Sequence, residues 1–127
     1  MISGENMKKI LVVAFVILAI FSGSLSAQDN IEKKKIEFLI SSVENLKGAI
    51  FIRNGSEHDG KAAAEHLRMK LKNAGSYVKT ADDFIRLCAS KSYITGRPYM
   101  IKLSNGKTIK SEEYFREKLK EYYLTVK

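Results

Sequence analysis

The chain has 127 residues, a formal net charge of +8, 45% hydrophobic residues, one Pro, one Cys and no Trp. That length admits one domain, with or without a targeting segment, and the ordinary composition excludes a disordered or low-complexity protein. A single cysteine excludes an internal disulfide framework.

The chain opens on a patterned leader. Lys8 and Lys9 precede an unbroken apolar run from Ile10 to Phe21, followed by the small residues Ser22, Gly23, Ser24, Ser26 and Ala27. Positive start, apolar middle and small-residue end are the three regions of a secretory signal peptide. Residues 1–27 are therefore expected to be a cleavable signal, with residues 1–6 as an extra leader ahead of Met7. A spanning helix needs about 20 apolar residues, and this run is shorter, so no stable transmembrane anchor is expected after cleavage. The protein is expected to be exported, periplasmic or secreted. Residues 28–127 form the expected single domain and keep all but two of the 22 Lys and Arg and all but one of the 14 Asp and Glu.

Within that domain the elements follow one another closely. Ile36, Leu39, Ile40 and Val43 recur at helical spacing, which predicts a helix over about Asn30 to Leu46 with Gly48 as its stop. Ala49 to Ile52 is a short apolar run of strand character. Arg53, Asn54 and Gly55 turn the chain. Ser56 with Asp59 three residues on has the spacing of a capping box, so a second helix is expected from about Glu57 to Ala74, stopped by Gly75. Thr80 and Asp83 repeat that signal for a third helix carrying Ala81, Phe84, Ile85 and Cys88 on one face and ending near Lys91. Cys88 reads as a buried small apolar residue. Ser92 to Arg97 is a loop. Ser104-Asn105-Gly106 between Tyr99–Leu103 and Lys107–Lys110 signals a hairpin, which the strand at 49–52 is expected to join. Ser111 is expected to cap a last helix whose stripe is Phe115, Leu119 and Tyr122. The fold class is α+β: a small antiparallel sheet covered by about four helices.

The residues Phe51, Arg53, Asn54 and Gly55, then Ala63, His66, Leu67 and Lys70, then Ala81, Phe84 and Ile85, and finally Ser92, Thr95, Gly96, Pro98 and Tyr99 form an ordered pattern. In this the chain resembles the YfeK-like family of small exported bacterial proteins, over roughly Phe38 to Tyr122. The resemblance implies an exported domain of unknown function and brings no activity with it.

Candidate binding residues follow from chemistry. A turn of Arg53, Asn54, Gly55 and Ser56 at a helix start could hold an anion through free N–H groups, the helix dipole and the guanidinium; the alternative is a structural turn. His66 and Lys70 lie one helical turn apart, with Lys70 inside the buried stripe. If Arg53 reaches them, three cationic or proton-donating groups converge on a carboxylate, phosphate or sugar-acid group; otherwise they brace the fold. Ser92, Thr95 and Gly96 complete the candidate surface. His58 and His66, placed on one helix, would stand ~12 Å apart, too far to share a metal ion, so no metal or other cofactor is expected. There is no Gly-x-Ser-x-Gly motif and no catalytic carboxylate pair. Export, and the lack of a basic stripe with interleaved aromatics, speak against nucleic acid. The expectation is a noncatalytic binding or accessory protein of the bacterial cell envelope, with an envelope protein or anionic cell-surface component as partner. The alternative is a small envelope hydrolase using His66 as acid or base with Arg53 and Lys70 holding an anion.

Overall fold

The structure is a computed structural model and describes residues 27–126. The signal-peptide assignment falls outside them. Two compact units divide the chain, Met1–Ile31 and Glu32–Lys127, and the second carries the sheet and its core.

Helix α1 is described over residues 27–44. Ile36, Leu39, Ile40 and Val43 are all buried, so the spacing read from the sequence is the core face. Glu32 adds a polar tie. Its carboxylate accepts from Ala81 N at 2.7 Å and from Lys35 Nζ at 2.8 Å, so a negative charge sits at the start of helix α3 (Ala81–Cys88), where the helix dipole favours it. Burial works to raise the Glu32 pKa, but the hydrogen bonds from Lys35 and Ala81 outweigh it and hold the carboxyl below its ordinary value.

Strand β1 spans Ile50–Arg53 and β2 Ser56–His58. They pair antiparallel, with Arg53 opposite Ser56 and Phe51 opposite His58. Only Asn54 and Gly55 lie between, with φ of 50° and 80°. Two consecutive positive φ angles are what a two-residue type I′ hairpin requires, and Asn-Gly is its preferred pair. The expected capping box at Ser56 is therefore corrected. Ser56 is in a strand, and helix α2 (Gly60–Ala74) is capped by Asp59, whose side chain accepts from Ala62 N at 2.8 Å. The helix cannot begin at Glu57 because residues 56–58 spend their backbone groups on β1.

Gly60 sets how closely α2 enters. A Cβ there would stand 2.6 Å from the carbonyl oxygen of Val43, inside any permitted contact, so only glycine lets the start of α2 press on the end of α1.

Helix α3 has the full capping box anticipated at Thr80 and Asp83. It ends at Cys88 and not near Lys91, because the Ser90 hydroxyl donates to the carbonyl of Ile85 and closes the last turn. Strands β3 (Met100–Lys102) and β4 (Thr108–Lys110) form the predicted hairpin, with Gly106 at φ 87°. Strand β1 pairs with β3, giving the order β2-β1-β3-β4, all antiparallel. Helix α4 (Ser111–Thr125) follows β4 without a loop. Ser111 does not cap it. Lys110 occupies the cap position without a side-chain bond, and the Ser111 N–H is satisfied by Tyr99 O at 2.8 Å.

Among the described residues the α+β class is thus a four-stranded antiparallel sheet with four α-helices. Phe51 and Ile101 join Leu39, Leu67, Phe84 and Phe115 in one apolar cluster. Cys88 is 1% exposed in that core, and burial raises its thiol pKa, so it is a packing residue. Among the described residues no helix is long and apolar enough to cross a membrane.

The two capping assignments separate cleanly in solution. Asp59→Ala is expected to cost about 1 kcal/mol of unfolding free energy by urea titration, the usual loss for an N-cap. Ser56→Ala, on an exposed edge position, is expected to stay within about 0.5 kcal/mol. The reverse ranking would restore the Ser56 cap.

Candidate functional site

Alternation along β1 sends Phe51 and Arg53 to the same side of the sheet, the side against which α2 packs. Phe51 is swallowed by the core. Arg53, one step nearer the turn, meets His66 from α2. Its Nη1 lies 2.6 Å from His66 Nε2 and also contacts Nδ1. A guanidinium only donates hydrogen bonds and a neutral imidazole has one unprotonated nitrogen, so one of the two ring nitrogens accepts from Arg53. Burial, then the charges of Arg53, Lys70 and His58, lower the His66 pKa from 6.5 to about 4. Near neutral pH, His66 is an uncharged acceptor for Arg53.

Lys70 follows one helical turn after His66. Its ammonium donates to Tyr99 Oη at 2.8 Å and to the Lys91 carbonyl at 3.4 Å. It also lies 4.7 Å from the Tyr99 ring centre. The buried Tyr99 in turn meets His66 edge to face, with centres 6.2 Å apart. Arg53, His66, Tyr99 and Lys70 thus form one continuous chain of contacts. Among the described residues neither Arg53 nor Lys70 has a carboxylate partner. The ion pairs formed there belong to Lys35, Arg68, Arg86, Arg116, Lys118 and Lys120. Two positive charges flank a neutral imidazole, and among the described residues neither is ion-paired.

Beside this chain opens a pocket of about 80 Å³. Val43, Phe51, Ala63, Leu67 and Phe115 give it apolar walls, and Arg53, His58, His66, Tyr99 and Ser111 supply its polar edges. The Nε2 atom of His58 is buried on this wall without a hydrogen-bond partner among the described residues. Buried polar atoms are nearly always bonded to something, so this atom is left for a water or a ligand.

The sequence placed His58 and His66 on one helix and held them apart. That premise is corrected: His58 is on β2, and the hairpin folds it back to line the same pocket as His66. The described residues still contain no group of three or more His, Cys, Asp or Glu disposed around one point. Of the polar pocket residues, His58, Tyr99 and Ser111 are the ones the sequence did not assign to a site. The Asn54-Gly55 pair was the available signal for His58, since a hairpin there sets His58 opposite Phe51.

The remaining candidates lie elsewhere. Asn54 accepts from Thr95 Oγ1 at 2.7 Å and donates to Ser92 Oγ at 3.4 Å, while Thr95 N donates to Ser92 Oγ at 3.3 Å. This set latches the β1–β2 turn to the loop before β3. Gly55 completes the hairpin turn, Gly96 a second turn at φ 71°, and Ser56 is exposed on an edge strand. None of these six lines the pocket. The anion site expected over Arg53, Asn54, Gly55 and Ser56 at a helix start has no helix start to use, since Ser56–His58 is a strand and the helix begins at Gly60.

A family of unknown function, DUF5329, matches residues 30–123. A protein named uncharacterized protein YfeK, from Salmonella typhimurium, is 36% identical over 96 residues, which cover 73% of this chain and 77% of that protein. The chain belongs to this YfeK-like family of unknown function. No solved structure matches it.

The low pKa of His66 fixes the sign of a pH effect. Between about pH 6.5 and 4 the unfolded chain takes up a proton at His66 that the folded chain refuses, so stability falls as pH falls through that window. The expected loss is about 1–2 kcal/mol once solvent screening of a part-exposed group is allowed for. Denaturant titrations at pH 7 and 5 should show it, and His66→Gln should flatten that part of the profile. An unchanged slope in the variant would mean that His66 titrates normally.

Proposed function

We propose that this is a noncatalytic binding protein of the bacterial cell envelope whose ligand is a small anion with an apolar body. The carrying observation is the pairing of uncompensated cations with an apolar pocket. Arg53 stands at the pocket edge without a carboxylate, with Lys70 behind it through Tyr99. An oxyanion would supply the missing negative charge through charge-assisted hydrogen bonds from the guanidinium. The ligand's hydrocarbon would replace water against Phe51, Leu67 and Phe115. At about 10–15 Å³ for each water-sized group, the pocket of about 80 Å³ takes roughly five to eight non-hydrogen groups. A monocarboxylate of about four to six carbons fits that measure, and a hydroxyl on it would meet the orphan nitrogen of His58. An envelope location rests on the leader pattern at residues 1–27.

A hydrolytic reading finds less support. A general base must direct its lone pair at the reacting proton, and the ring nitrogens of His66 face Arg53. With a pKa of about 4 the ring is uncharged at neutral pH and has no imidazolium proton to give as an acid.

Calorimetric titration with butanoate and hexanoate, with chloride and inorganic phosphate as controls, tests the proposal. The carboxylates should bind and the controls should not compete appreciably. Arg53→Gln should weaken binding about tenfold to a hundredfold, the usual consequence of losing a hydrogen bond to a charged partner. Ala63→Leu should block the apolar part while leaving Arg53 in place. Carboxylate binding that survives both substitutions would remove this pocket as the site.

A further inference from the structure

The loop between α3 and β3 carries a feature that the pocket does not explain. Ile94 is 96% exposed and Tyr93 61% exposed, side by side at its tip. The loop is braced, not loose. Ser92 N bonds Arg97 O at 3.0 Å, Gly96 N bonds Ser92 O at 2.8 Å, and Lys91 bridges to Pro98. The Ser92 side chain is buried under it, and Thr95 is latched to Asn54 on the β1–β2 turn. Backbone and side-chain bonds therefore hold an isoleucine and a tyrosine out in water.

The surroundings are positive. Lys91 and Arg97 flank the tip and are exposed. Lys70 lies 5.5 Å from the Tyr93 ring centre. Arg97 comes within 4.0 Å of where a Gly55 side chain would begin, so it lies over the β1–β2 turn. Between Phe84 and Ser111 the sequence has six Lys and Arg and no Asp or Glu.

We propose that residues 91–97 form a docking tip for an anionic lipid surface. Ile94 would enter the acyl boundary, the Tyr93 ring would lie at headgroup depth as interfacial tyrosines do, and Lys91 and Arg97 would meet the phosphates. A protein partner fits less well. Stable protein interfaces bury about 800 Å² per partner, and this tip offers two large apolar side chains. The proposal rests on the loop and not on the pocket, so either can fail alone.

The absence of tryptophan from the chain makes the test direct. Ile94→Trp in the full-length chain places a single reporter on the tip, and Leu124→Trp, at a position 70% exposed on α4, serves as control. Both side chains are exposed, so matched far-ultraviolet circular dichroism should confirm that both variants fold. Vesicles of phosphatidylcholine with phosphatidylglycerol should shift the Ile94→Trp emission to the blue, and brominated lipid should quench it. Phosphatidylcholine alone should do neither, and the control should stay unshifted. Adding Lys91→Gln and Arg97→Gln to the reporter should weaken the response about thirtyfold, the loss of two interfacial cations. No shift on anionic vesicles overturns the proposal. So does an equal shift on neutral vesicles, an equal shift at the control, or a lipid-free shift that grows with protein concentration and so reports a second copy.

Discussion

The organisation of the site depends on one unbalanced charge. Arg53 sits on a central strand and points toward the helical layer, where a guanidinium would ordinarily find a carboxylate. It finds a neutral imidazole instead. Burial lowers the His66 pKa most, and the positive charges of Arg53 and Lys70 beside the ring lower it further. The Arg53–His66 contact also joins the sheet to α2 without cancelling the charge. A structural brace would be served as well by a glutamate at position 66, which would neutralise Arg53 and close the site. A histidine holds the arginine in place without neutralising it.

The geometry that presents this charge is built from local rules. The Asn54-Gly55 turn folds β2 back onto β1, and in doing so sets Arg53 at the sheet end and brings His58 to the pocket wall. The same turn, through Asn54, accepts the latch from Thr95 and fixes the loop that lifts Tyr93 and Ile94. One two-residue turn thus supports both the pocket and the exposed tip. Gly60 completes the arrangement by letting α2 start against the end of α1, which determines where His66 and Lys70 face.

Much of the fold was legible in the residues. The stripe of α1, the Thr80–Asp83 box, the second Asn-Gly hairpin and the core position of Cys88 all follow from periodicity, capping chemistry and turn preference. The site was legible in part. Arg53, His66 and Lys70 could be named from their chemistry and spacing, and they do belong to one chain of contacts. The failure at residues 54–59 has a physical cause. Two start signals overlapped there, and a three-residue polar strand has too little apolar alternation to announce itself. Ser56 and Asp59 have capping-box spacing, but Asn-Gly dictates a hairpin, and the hairpin won because it satisfies the backbone groups of residues 56–58 against β1. Misplacing that strand also separated His58 from His66, and hid the pocket. Tyr99 was read as the start of a strand and as part of the family pattern but not as a site residue, since its role depends on a contact across 29 residues.

The most direct measurement follows the ring of His66 by NMR as a function of pH, with and without hexanoate, using His66→Gln to assign it against His58. An uncompensated cation pair awaiting an anion predicts a midpoint near 4 in the free protein, moving upward when the carboxylate binds and offsets Arg53 and Lys70. A midpoint near 6.5 that ignores the carboxylate would contradict it, and would leave Arg53 and His66 as neighbours with no common task.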